Sequence, residues 1–319
     1  MRKQPTISII TVNYNGLELT VELLNSIRRL TFSKAQLEIF VVDNASPKGV
    51  PSGFFADNFP EVHFIQSEKN LGFAGGNNLA VRQAMGNLLF FINNDAEITE
   101  GCLEKLVALF AENPKLGIAS PMLLYFNESK GQQCDLIQYA GMTPINPLTA
   151  RNKTIGEKTQ DVRQFDHPQQ TAYTHGAAMM VRREVIEKVG MLFEDFFLYY
   201  EELDWCERIR RAGFDIYIEP RAKVFHKESA TVGTVSILKT YYLNRNRIYF
   251  MRRNFGGGQL LTFGLFFTVI AIPKNLAVFI LRGQFDHAKV FLKAITWNIK
   301  DWFSKTYKTE NPILEAIKI

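Results

Sequence analysis

The residues best suited to chemistry stand at the ends of apolar runs. Leu88-Leu89-Phe90-Phe91-Ile92 stops at Asn93-Asn94-Asp95. A run without polar alternation reads as a central strand buried on both faces. Side chains just past the C-terminal end of such a strand sit in the crevice where open α/β sheets bind ligands. A carboxylate there can hold a hard cation and, through it, a diphosphate. Asn and Asp also close strands as turn formers, so the segment alone leaves both readings open. The apolar runs Thr6–Val12 and Leu37–Val42 end in the same way, in Asn13-Tyr14-Asn15 and in Asp43-Asn44. Three such endings on one parallel sheet converge on one edge, as a nucleotide crevice requires. Asp43 is placed to accept a hydrogen bond from a base N–H and Tyr14 to pack on the base, with Thr11, Asn13 and Asn44 lining the same crevice. Asn70 to Asn78, with Gly72 and Asn77, is a Gly-rich loop opening a helix, whose first N–H groups suit an anion. It lacks the P-loop lysine and the dinucleotide spacing.

A second cluster is acidic. Glu201, Glu202 and Asp204 crowd three carboxylates into four residues, and mutual repulsion raises the pKa of at least one. A carboxylate poised that way can act as a general base towards a hydroxyl. The same acids also suit a first helical turn, and Asp204 with Arg208 has helix-pair spacing. His226 ends a short apolar run, Ala222 to Phe225, and neutral imidazole is a common partner for a metal-binding carboxylate. His175-Gly176-Ala177 places small residues after a histidine, which suggests close approach of substrate or backbone. Arg208, Arg245 and Arg247 are candidate contacts to acceptor or donor phosphates, and a solvated basic face is the other reading of the last two.

The elements that must position these groups alternate. Strands at 6–12, 37–42, 62–65 and 88–92 are separated by helical patterns near Leu19–Ile27 and Ala74–Met85, and a helix over Glu100–Glu112 follows. This order predicts an α/β fold, a doubly wound and mostly parallel, Rossmann-like sheet. Residues 126–172 are rich in Gln, Asn, Gly and Pro and read as irregular. Order returns with a strand over Ala177–Val181, a helix over Arg183–Val189 and a helix from Glu201. From Val235 onwards the chain reads as helical. We divide it into a domain over 1–230, with halves of about 1–120 and 121–230, and a C-terminal helical region over 231–319.

The whole chain of 319 residues carries a formal charge of +5, but residues 231–319 hold 13 Lys/Arg against 4 Asp/Glu. A basic tail on an acidic body predicts an anionic partner such as a membrane surface. No nucleic-acid motif or internal repeat is present. Three cysteines without paired or metal-type spacing suit a reducing compartment, and the N-terminus does not read as a signal peptide. Residues 258–281 contain one charge, Lys274. That length can reach across a bilayer as a helix, yet Pro273 and Lys274 in its middle argue against a simple span. Phe291, Trp297, Trp302 and nearby lysines suit an interfacial helix. Peripheral attachment is therefore favoured over a homodimer interface.

Taken in order, TVNYNG, VVDNAS, NLGFAGGNN and FINNDAEI, then HGAAMMVRRE, FFLYYEELDWCERIRRAGFDIYIEP and VFHKESAT, resemble the family 2 glycosyltransferases of the GT-A fold over about residues 5–250. Within that family the chain is most similar to bacterial rhamnosyltransferase-like enzymes of surface-polysaccharide assembly, and YYLNRNRIYFMRRN extends the likeness. The resemblance implies a donor-binding half followed by an acceptor half. Asp43 then matches the aspartate that reads a pyrimidine base, Asp95 the last acid of a metal-binding triad, and His226 a histidine completing the metal site. Asn93 and Asn94 stand where the triad has acids, leaving one carboxylate for Mg²⁺ or Mn²⁺. Glu202 matches the general base, with Glu-Glu in place of Glu-Asp, so Glu201 and Asp204 stay open as alternatives. The implied reaction is an inverting transfer from a nucleotide-diphosphate sugar, dTDP-rhamnose or a UDP-hexose, to a saccharide or polyprenyl-diphosphate-linked acceptor. The implied location is the inner face of the plasma membrane.

Overall fold

The computed structural model describes residues 7–127, 132–227 and 236–303. The Glu228–Thr231 end of VFHKESAT and the lysines after residue 303 lie outside the described residues.

The chain runs β1 (Ile7–Asn13), α1 (Leu17–Arg29), β2 (Leu37–Asp43), α2 (Phe54–Asn58), β3 (Val62–Gln66), α3 (Gly72–Val81), β4 (Leu88–Ile92), β5 (Ala96–Ile98), α4 (Cys102–Glu112), β6 (Leu116–Asn127) and β7 (Gln132–Tyr139). It continues through β8 (Gln169–Gln170), β9 (Ala178–Arg182), α5 (Arg183–Val189), α6 (Glu201–Arg211), β10 (Asp215–His226), α7 (Ile237–Asn254), α8 (Gly257–Phe266), α9 (Ile272–Leu281) and α10 (Phe285–Phe303). One sheet holds the order β3-β2-β1-β4-β9-β6-β10-β5, with β7 beside β6 and β8 beside β10. Its first four strands are all parallel. Beyond them β9 turns antiparallel to both β4 and β6, and β10 lies parallel to β6.

The apolar runs behave as expected of central strands. All five residues of β4 are buried, and alternate side chains feed opposite cores. Phe90 joins Ile7, Ile9 and Leu103 on one face; Leu89 and Phe91 join Ile10, Phe40 and Trp205 on the other. The Gly-rich helix α3 lies almost flat on β1, because a Cβ on Gly76 would come within 3.0 Å of Val12. It ends at Val81, four residues short of the expected Met85. The region expected to be irregular contains β7, which pairs with β6. His226 ends not a short strand but the twelve-residue β10.

The C-terminal helices share this core. Phe250 and Met251 of α7 and Phe291 of α10 pack in the same cluster as Phe91 and Trp205. Helices α8 and α9 run on through a π-turn at Phe267–Ala271, where Ile272 N–H bonds to Phe267 O. The turn immediately precedes Pro273, whose missing N–H and ring disturb a regular ladder. The 25-residue stretch Gly257–Leu281 is long and apolar enough to cross a membrane by length and composition, and it is mostly exposed.

Candidate active site

Strand register builds the first part of the site. His226 pairs with Ala96 across β10 and β5, which sets its ring beside Asp95, Nε2 to Oδ1 at 3.2 Å. Gln138 of β7 holds the other ring nitrogen, Nδ1 to Oε1 at 2.8 Å, while Asn93 Nδ2 lies 3.3 Å from Nε2. An amide oxygen only accepts and an amide NH₂ only donates, so in its neutral form His226 carries the proton on Nδ1 in this arrangement. Its Nε2 lone pair then faces a carboxylate oxygen. Asp95 Oδ1 is itself buried without a hydrogen-bond partner. Two lone pairs aimed into one spot fit a cation, and the Gln138 contact is the outer-shell support that metal-bound imidazoles use. Among the described residues no group of three or more His, Cys, Asp or Glu converges in this way. A cation here would take two protein ligands and complete its shell with water and phosphate oxygens, as Mg²⁺ sites often do. Burial of Asp95 opposes its charge, but with no cation between them a His226 protonated on Nε2 outweighs this and holds the carboxyl below its ordinary range.

His175 completes this corner. Its ring lies 6.0 Å from that of His226. Burial, then the neighbouring His226, push its pKa down to about 3. Its Nδ1 accepts from Ala177 N–H at 3.1 Å, so the neutral ring presents Nε2–H as a donor. The next residue, Gly176, leads to the acidic cluster: a Cβ there would stand 4.0 Å from Glu202 Cδ and 3.7 Å from Phe73 Cζ. Small size at 176 thus keeps the space in front of Glu202 open.

Glu201 and Glu202 open α6 after Tyr200, and each has an Oε2 buried without a partner. Desolvation raises Glu202 to about 7. Desolvation and the Glu202 charge raise Glu201 well above the carboxylate range. Two residues along a helix is a rotation of about 200°, so Asp204 points away. It accepts from Arg208 Nε at 2.9 Å, Arg253 Nε at 3.0 Å and Asn254 Nδ2 at 2.9 Å. Asp204 is a tie between α6 and α7, not a free base.

The polar strand ends do converge, but they spend most of their groups on one another. Asp43 accepts from Asn13 Nδ2 (2.7 Å), Ser46 N (3.0 Å), Ser46 Oγ (2.6 Å) and Gln66 Nε2 (2.8 Å). That fills the roughly four lone-pair sites of a carboxylate. Of these donors Gln66 is the exposed one. Asn94 binds Gly16 O and Thr20 Oγ1, both at 3.2 Å. Asn44 ties down the Gly-rich loop through Asn70 Oδ1, Gly72 O and Leu71 N. Asn77 bonds back to Phe73 O. Thr11 Oγ1 is buried without a partner. Tyr14 and Asn70 are half-buried at the rim.

The expected phosphate-binding arginines lie elsewhere. Arg208 donates to Val189 O and Met191 O besides Asp204. Arg245 is buried and donates to main-chain carbonyls of Asp195 and Phe196. Arg247 donates to Thr149 O at 2.8 Å and lies over the Phe267 ring. Each is used up in packing helices, which a charge pattern alone does not reveal. Sequence reasoning missed Gln138 and Gln66. Neither carries a spacing signal, and both reach the site through strand pairing.

Fold and site together define an α/β protein of the GT-A kind, with interlocked polar strand ends on one side and an acid–histidine corner beside them. The chain belongs to glycosyl transferase family 2, whose description matches residues 8–190. It is 30% identical over 219 residues to the low-salt glycan biosynthesis hexosyltransferase Agl10 of Haloferax volcanii, covering 66% of this chain and 63% of that one. It is 26% identical over 205 residues to the dTDP-rhamnosyl transferase RfbF of Shigella flexneri, covering 61% and 64%. The match thus spans less than two thirds of either relative. Among solved structures, GalNAc-T7 with UDP, GalNAc and Mn²⁺ superposes with a TM-score of 0.61 at 16% identity, covering 85% of this chain and 57% of that one.

Proposed function

We propose that the protein is an inverting glycosyltransferase that moves a sugar from a nucleotide-diphosphate donor to an acceptor hydroxyl in cell-surface polysaccharide assembly. The observation that carries this reading is the pairing of a half-buried Glu202, its Oε2 without a partner, with the Asp95–His226 corner, joined through His175 and Gly176. Glu202 takes the proton of the acceptor hydroxyl as its oxygen attacks the anomeric carbon. The bond from that carbon to the diphosphate breaks, and the diphosphate leaves with the electron pair. Attack opposite the leaving group inverts the centre. His175 Nε2–H is the donor offered to phosphate or sugar oxygens, because the first N–H groups of α3 are taken by Asn70 Oδ1 and Phe197 O. Asp95 and His226 would hold Mg²⁺ or Mn²⁺, which when bound neutralises the leaving diphosphate.

For the donor we favour dTDP-rhamnose, in line with the RfbF likeness; a UDP-hexose is the alternative, in line with the UDP bound by GalNAc-T7. For the acceptor we favour a polyprenyl-diphosphate-linked saccharide, reached from the inner membrane surface. The exposed apolar face of α8 to α10 supports this, with Leu261, Leu265 and Phe303 at 74%, 66% and 82% exposure.

Calorimetry with dTDP, UDP and GDP, each with and without Mn²⁺, on wild type and Asp95→Ala, tests the site. Pyrimidine-diphosphate binding that requires both Mn²⁺ and Asp95 is expected. No binding by any diphosphate to folded protein would overturn the reading. Binding without turnover on any donor would mark a nucleotide-binding module instead.

A further inference from the structure

Glu202 follows a turn that the backbone does not adopt easily. Phe197, Tyr199 and Tyr200 have φ of 63°, 71° and 74°, values that bulky side chains rarely take. Such geometry persists only where the surroundings over-determine it. Here they come from α7. Asn246 is 0% exposed, and its Nδ2 donates to the carbonyls of Phe196 at 2.9 Å, Leu198 at 2.7 Å and Tyr199 at 2.8 Å. Arg245 Nη2 donates to Phe196 O at 2.9 Å, and its Nε to Asn246 Oδ1 at 2.7 Å. The second bond decides which end of the amide meets the turn. The Arg245 guanidinium lies over Trp297 and Tyr242, at 4.5 and 4.9 Å from their centroids.

The turn is gripped from its other side as well. Phe197 O accepts Phe73 N–H at 2.6 Å, and a Cβ on Gly72 would fall 2.1 Å from that carbonyl. One strained turn therefore touches α7, the donor-side loop and the first residue of α6.

We propose that Asn246, oriented by Arg245, is a positioning residue. Its amide holds the Phe197–Tyr200 turn in left-handed geometry and so fixes where α6 presents Glu202. The proposal rests on Glu202 being the base. It assigns a role in the reaction to α7, a helix beyond the residues 8–190 that match the family.

Hydrogen–deuterium exchange on the full chain, wild type against Asn246→Ala, tests the grip without any substrate. Peptides covering 195–203 are expected to exchange at least tenfold faster, with peptides of β1, β4 and α4 unchanged. Equal protection of 195–203 in the folded variant would overturn the proposal, as would loosening spread evenly over the molecule. Hydrolysis of dTDP-rhamnose or UDP-glucose with Mn²⁺ supplies the kinetic arm. There kcat is expected to fall at least thirtyfold while KM stays within threefold, and a loss confined to KM would count against positioning. Glu202→Gln separates the two ideas. If it retains wild-type turnover, the base assignment fails; if it is inactive while Asn246→Ala keeps wild-type kcat, only the positioning role fails. Where hydrolysis is too slow to read, the exchange result decides alone. Should Asn246→Ala not fold, Arg245→Lys, which keeps the charge but drops the Nε–H that orients the amide, is read in the same way.

Discussion

A carboxylate that keeps its proton to about pH 7 lowers stability wherever it must be charged. Glu202 has a folded pKa raised to about 7 from the ordinary 4.5, so between those values the native state binds more protons than the unfolded one. Stability therefore falls as pH rises through that window. Glu202→Gln, which cannot ionise, should stabilise the protein at pH 8 by about 1–3 kcal/mol, discounted for the water that reaches a half-buried side chain, and by much less at pH 5. Thermal melts at the two pH values check this. The same variant should lose about a thousandfold or more in transfer rate, with nucleotide binding intact; wild-type activity should rise with pH through about 7. At the metal corner, Gln138→Leu removes the acceptor for His226 Nδ1–H and should weaken Mn²⁺ binding by roughly 10–100-fold, read by titration of the ion. The placement of Asp95 and His226 at strand ends and of Glu202 at the head of α6 was legible, because apolar runs and acid spacing mark those positions. Gln138 was not, because its place depends on β7 pairing with β6. Asp204 and Arg245 were misjudged because residue type does not say which side of a helix faces the cleft.

At the scale of elements, the Gly-rich loop and the Phe197–Tyr200 turn are one mechanical unit. Gly72 has φ +69°, and its missing side chain leaves room for Phe197 O. Gly72→Ala would combine left-handed strain with a backbone clash, and should cost about 3 kcal/mol together with weaker nucleotide binding. Chemical denaturation and calorimetry would show both losses; a neutral effect would mean that the two loops are not packed as described. The strongly periodic or uniformly apolar elements were legible, among them β4, the helix over Arg183–Val189 and the start of α6. Their burial follows directly from their own sequence. β7 was not legible: a Gln-rich strand has no apolar alternation, and only its neighbour β6 makes it a strand. α3 was foreseen in kind but placed two residues late at its start, because its glycines serve close packing on β1 and β2 as well as a loop.

The whole molecule presents one face that a lone soluble protein rarely leaves bare. A groove of about 800 Å³ lies between α8, the π-turn and α10, lined by residues such as Leu260, Leu265, Val269, Ile295 and Trp302. Along α10, Phe285, Leu292, Ile299 and Phe303 follow one stripe, and exposed Lys289, Lys293 and Lys300 follow the stripe beside it. An apolar stripe flanked by lysines is the pattern of a helix lying in an anionic membrane surface. A transmembrane course for Gly257–Leu281 would pull Phe263, Phe267 and Ala271 out of the protein core, where they are 2%, 4% and 6% exposed. Lying on the bilayer leaves those contacts intact, so the sequence-level objection to a simple span holds on packing grounds as well. Co-sedimentation with vesicles of phosphatidylethanolamine and phosphatidylglycerol is therefore expected, with weak binding to phosphatidylcholine alone. Leu265→Glu with Val269→Glu changes two side chains at 66% and 58% exposure, which should spare the fold and lower vesicle binding at least tenfold. Replacing the three lysines by Glu should abolish the preference for anionic lipid while leaving donor binding unchanged. A wild type that ignores vesicles but forms a dimer broken by the Leu265 and Val269 changes would instead assign this face to a second copy of the chain. The lysine stripe argues against that outcome, because two copies meeting there would set like charges together.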